Sequence, residues 1–172
     1  MTKLANVARS GGRLFIAIQR WILILAGAAL VLDVFAEVVL RYVMRHPLLG
    51  TDELAAMIAV WVYFFGAAHA THTRTHIEGG IVITIIKQQV SRYKIRFAVL
   101  IVTMIVGVVF TYMAYEWCHW TVTEGITTTS LLMPTIYGEV AMLIGAVLME
   151  VYFGIEAAET WQKIRQGSPE VK

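Results

Sequence analysis

The chain has 172 residues, 58% of them hydrophobic and 15% charged, with a mean hydropathy of +0.68. A soluble domain is about 45–50% apolar and about 25% charged, so this composition excludes an ordinary soluble globule and, more firmly, a disordered chain. A net charge of +2 leaves no basic footprint for nucleic acid, and the single cysteine, Cys118, sets no disulfide or CxxC framework.

A bilayer core about 30 Å thick takes roughly 20 mostly apolar residues in a helix. Lys3, Arg9 and Arg13 precede an apolar stretch, as in a secretory signal. Arg20 interrupts it, however, and apolar residues continue past Ala26-Gly27-Ala28, which predicts a retained membrane helix. This first span covers about 15–41, with Asp33 and Glu37 inside it and Arg41 at its end. A second covers about 52–71, with His69 near its end.

Between the second and third spans, Val82, Ile85, Ile86, Val90 and Tyr93 recur at three- and four-residue spacing. Thr84, Lys87, Gln88, Ser91 and Lys94 lie opposite them. That pattern predicts an amphipathic helix over about 81–94, lying in the membrane surface, with Gly79-Gly80 permitting the turn into it. The alternative is an extension of the third span.

The third span, about 97–116, is free of charge from Phe97 to Tyr115. A connection rich in Thr and aromatic residues follows, in which Trp117 and Trp120 suit the membrane–water interface. Pro134 suits the first turn of a fourth span, about 134–156, which contains Glu139 and Glu150. The expectation is one all-α integral membrane domain, 1–172, with four spans.

Twelve of the 14 Lys and Arg fall in the N-terminal segment, the connection between spans two and three, and the C-terminal tail. Arg41 and Arg45 alone lie on the other side. The bias predicts both termini in the cytoplasm.

Asp33, Glu37 and Arg41 are four residues apart and share one helix face, and Glu139 and Glu150 share another. Charges inside a membrane are costly and face protein or water. By depth, Arg41 has Glu37 or Glu139 as a partner and Arg20 has Glu150. These acids form either an ion path or structural pairs and docking contacts to another membrane subunit. His69, His72 and His76 fall on one face at the inner end of span two, whereas His46 and His119 lie at the outer side. A bis-histidine haem needs ligands at one depth, so the triplet reads as a polar, interfacial helix end. With no GxSxG, P-loop or HExxH, the expectation is a protein that is not an enzyme and holds no cofactor or metal. The residues alone also fit a self-contained proton-coupled exporter using Asp33 or Glu150.

One block is more specific: Arg41-Tyr42-Val43, Pro47-Leu48, Thr51-Asp52-Glu53-Leu54-Ala55, Trp61, Phe65-Gly66-Ala67-Ala68 and Arg74-Thr75-His76-Ile77. It resembles the small membrane subunit (DctQ-type) of TRAP transporters, the tripartite ATP-independent periplasmic transporters. Ser130, Leu132, Pro134 and Tyr137 resemble that family's entry to its fourth helix. Gly50-Thr51 stands where the family often has a Trp before the acidic pair.

The resemblance implies a multi-pass protein of the bacterial inner membrane. Its partners are a large multi-span permease subunit, a periplasmic solute-binding protein and membrane lipid, in sodium-coupled uptake of a carboxylate-bearing solute. It implies a scaffold and part of a docking surface, with Arg41, Asp52, Glu53, Trp61 and His76 among the contacts. Arg41 lies within one short turn of Asp52 and Glu53, so a pair fixing that turn is expected.

Overall fold

The computed structural model describes residues 2–46, 48–73 and 89–166. Helix α1 covers Thr2–Val38 and runs straight into one π-helical turn, Val39–Val43. That wider turn closes where the Met44 N–H donates to the Val39 carbonyl at 3.0 Å. Arg45, at φ 55, then takes the left-handed conformation that ends a helix. Helix α2 is Thr51–His72, α3 is Gln89–Glu124 and α4 is Ile136–Gln166.

Among the described residues, four helical stretches are long and apolar enough to cross a membrane: Ile16–Val43, Thr51–His72, Tyr93–Glu124 and Ile136–Arg165. None contains proline. In hydrocarbon a helix satisfies every interior backbone N–H and C=O within itself, so uninterrupted apolar runs settle as helices.

Three expectations need correction. Residues 81–88 of the expected surface helix lie outside the described residues, but 89–94 are the first turns of α3, continuous with the spanning helix. Pro134 is not in the first turn of α4; it forms an isolated bridge with Thr127, two residues before the helix begins. Trp117 and Trp120 belong to the last turns of α3 rather than to a loop, with ring centroids 5.3 Å apart.

Both short connections, α1–α2 and α3–α4, lie at one end of the molecule, called here the loop end. The start of α1, the end of α2, the start of α3 and the end of α4 lie at the terminal end. Packing runs α1 on α2, α2 on α4 and α4 on α3, so α2 and α4 are interior and α1 and α3 are at the edges.

The neighbours α2 and α4 run parallel and advance in step. Gly138 meets Met57 and, seven residues on in both helices, Gly145 meets Phe64. A Cβ on Gly145 would sit 2.6 Å from the Phe64 Cβ and 3.0 Å from its carbonyl oxygen, so the two backbones touch. Fully buried Ala141 lies between the two glycines. Small residues at such a seam allow the close approach on which helix association in lipid depends. Over this thin part of α4, the Phe64 ring stacks on Phe110 of α3, with centroids 6.1 Å apart and planes at 17°.

Helix α3 presents Leu100, Gly107, Ala114 and Thr121, seven residues apart, with Thr111 and Cys118 between them. This is a 3.5-residue stripe of the left-handed supercoil type. It meets α4 antiparallel, Phe97 on Trp161 at 5.2 Å and Met104 beside Gly154.

Helix α1 stands furthest out. None of its most apolar window is buried, and Trp21, Leu25, Val31, Leu32 and Phe35 are exposed. The accessible surface is 12483 Å², against about 8,400 Å² for a compact soluble protein of this mass.

Candidate functional site

At the loop end the polar contacts converge on the start of α2. Gly50 precedes the helix at φ 92, and Leu131 packs where its side chain would stand. Only glycine meets both conditions. Glu53, in the first turn, occupies a position where an acid commonly reaches back to its own helix cap. Here it reaches across the molecule instead. Its Oε1 accepts the Ser130 N–H at 2.8 Å and its Oε2 accepts the Leu131 N–H at 2.9 Å.

The α3–α4 loop is shaped to offer those two donors. The Thr128 N–H donates to the Met133 carbonyl at 2.8 Å, the Met133 N–H donates to Thr128 Oγ1 at 3.2 Å, and Leu132 takes φ 53. Two turns further along α2, the Trp61 indole N–H donates to the Tyr137 carbonyl at 2.8 Å. Glu53, Trp61, Ser130 and Tyr137, singled out at four separate places in the sequence, thus form one clamp between α2 and α4.

Arg41 pairs with Glu37, one turn back along its own helix. The expected pair with Asp52 or Glu53 does not form: Glu53 is taken by the loop amides, and Asp52 is exposed. Asp33 and Glu37 stand on the partly covered face of α1 amid exposed neighbours, and α1 packs on α2.

Asp33 Oδ2 and Glu139 Oε2 are buried without a hydrogen-bond partner among the described residues. The expected Arg20–Glu150 pair is likewise not formed among them. Arg20 is exposed, and the Glu150 carboxylate lies against Gly107, near the middle of α3, where a Cβ would collide with it. His76 lies outside the described residues. His69 and His72 stack at 6.4 Å, each with Nδ1 buried and without a hydrogen-bond partner among the described residues.

Two polar links were not anticipated from the sequence. Gln19, 2% exposed, donates from Nε2 to the Phe65 carbonyl at 3.1 Å, and its Oε1 accepts the Tyr152 hydroxyl at 3.2 Å. One amide so ties α1 to both α2 and α4, and the edge of His72 meets the Tyr152 ring at 5.1 Å. Arg96 donates from Nε and Nη2 to Glu156 Oε1 at 3.0 and 2.7 Å, joining α3 to α4. The signal for Gln19 was an amide beside Arg20 on an apolar helix. The signal for Arg96 was a base directly abutting a span.

These features define a multi-pass helical membrane protein whose polar groups fasten helix to helix. The family model for the DctQ component of tripartite ATP-independent periplasmic transporters matches residues 30–163, more than three quarters of the chain. The chain belongs to that family and is the small membrane subunit of a TRAP transporter. Comparison with curated proteins found no match.

Proposed function

We propose that this subunit scaffolds the large permease subunit and presents its loop end to the periplasmic solute-binding protein, during sodium-coupled uptake of a carboxylate-bearing solute. In this reading the protein sits in the bacterial inner membrane with both termini cytoplasmic, as the Lys and Arg distribution favours, and the loop end faces the periplasm.

The observation that carries the scaffold role is the uncovered face of α1: none of its most apolar window is buried, and the half-buried Asp33 and Glu37 stand on it within the span. Intramembrane acids face protein or water rather than lipid, and a second membrane subunit packed along α1 is the natural cover for them. The clamp of Glu53 and Trp61 holds the loop end in one shape, which suits a docking surface.

The test is reconstitution. Uptake into proteoliposomes is expected to need this chain, a large permease subunit and a binding protein together, and to follow an inward sodium gradient. Undiminished uptake without this chain would overturn the scaffold role, and proton-driven export by this chain alone would overturn the whole reading.

A further inference from the structure

Between α3 and α4 toward the terminal end lies an open surface groove of about 480 Å³, lined by Phe97, Ile101 and Met104 on one wall and Gly154, Ala158 and Trp161 on the other, with the Phe97 and Trp161 rings meeting across it at 5.2 Å. Glycine and alanine make the α4 wall shallow, and the only polar group among these side chains is the indole N–H of Trp161.

Each wall ends in a base. Lys94 lies three residues before Phe97 and seven before Ile101, on the same face of α3. Arg165 lies four residues after Trp161 and seven after Ala158, on the same face of α4. Both are exposed. The nearby acids sit off this stripe: Glu156 faces Arg96 on the other side of the helix pair, and Glu159 is about 100° around α4 from Ala158. Lys163 stands over the Tyr93 ring, its Nζ 5.9 Å from the ring centre.

We propose that this groove holds one acyl chain of an anionic phospholipid, with Lys94 and Arg165 gripping its phosphate at the groove mouth. The apolar channel takes the tail, Trp161 marks the interfacial level, and two bases with no acid beside them on their stripe select a negative headgroup.

The complete transporter complex, in vesicles of phosphatidylethanolamine and phosphatidylglycerol, provides the test. Phosphatidylglycerol carrying a photoreactive tail is expected to label peptides 97–104 and 154–161. A phosphatidylcholine analogue with the same tail is expected to label them at least about fivefold less. K94Q and R165Q are each expected to lower phosphatidylglycerol labelling about fivefold, and Ala158→Trp to abolish labelling by either lipid. Equal labelling by the two lipids in the wild-type complex, a comparison that needs no variant, would overturn the headgroup assignment. Absence of lipid labelling, with Ala158→Cys cross-linking to the large subunit instead, would assign the groove to a protein helix and overturn the proposal.

Discussion

Glu53 and Asp52 are adjacent acids in the same helical turn, yet only one has structural work. Glu53 accepts two backbone N–H groups from a loop 77 and 78 residues away, while Asp52 faces outward. The sequence marks the acidic pair but not which member acts, because the donors come from a loop whose shape is set by its own turn. E53Q is expected to lower the thermal unfolding midpoint in detergent well below that of D52N, which should match the wild type. Equal midpoints would remove Glu53 from the clamp.

Gln19 was illegible for a related reason. Arg20 beside it is the more conspicuous group, and the value of the amide depends on two helices that reach it from residues 65 and 152. Hydrogen bonds between membrane helices average about 0.6 kcal/mol and reach about 1.7 kcal/mol. Gln19→Leu is therefore expected to cost on the order of 1 kcal/mol in a reversible unfolding titration. In a double-mutant cycle with Tyr152→Phe the two costs should be less than additive; strict additivity would show that the Gln19–Tyr152 bond contributes nothing. For Arg41, whose partner is Glu37, Arg41→Ala is expected to weaken assembly with the large subunit, and adding Glu37→Gln to restore part of it. A double variant as weak as the single would point to a direct Arg41 contact with the partner instead.

At the scale of elements, the four spans were readable because a 20-residue apolar run has few alternatives. Their edges were less so. Third-span hydropathy begins at Phe97, so Arg96 read as a loop charge. In the structure α3 has already started by Gln89, and Arg96 faces Glu156 across the helix pair. The order of packing was equally hidden, since hydropathy does not say which spans become interior. The seam between α2 and α4 rests on Gly138, Ala141 and Gly145, and its matched seven-residue step appears only once Met57 and Phe64 are placed beside it.

Gly145→Val is expected to destabilise by about 1–3 kcal/mol or more, because the obstacle is the Phe64 backbone rather than a movable side-chain tip. Gly27→Ala, where a Cβ meets nothing within 4 Å, should leave the unfolding midpoint unchanged or raise it. The reverse ranking would show that α2 and α4 do not meet at this seam. Gly107 differs from both: its obstacle is the Glu150 carboxylate, the flexible end of a long side chain.

For the whole molecule, the helix order makes α1–α2 and α3–α4 two antiparallel pairs of sequence neighbours, joined side by side through the parallel contact of α2 with α4. Each pair closes through short-range chain contacts, whereas the contact between them spans long sequence separations and forms at greater loop-closure cost. The clamp of Glu53 on the α3–α4 loop and of Trp61 on Tyr137 belongs to that second event. The assembled loop end therefore reports that both pairs have docked.

Continuity of the chain is then not what keeps the two halves together. A gene divided between the codons for His72 and Gln89, with both pieces expressed in one cell, is expected to yield two polypeptides that purify as one and still recruit the large subunit. Adding Gly145→Val to the second piece should separate them. Halves that never meet would place the burden of assembly on the covalent link; halves that meet would make the glycine seam a point at which this membrane protein can be cut and rejoined.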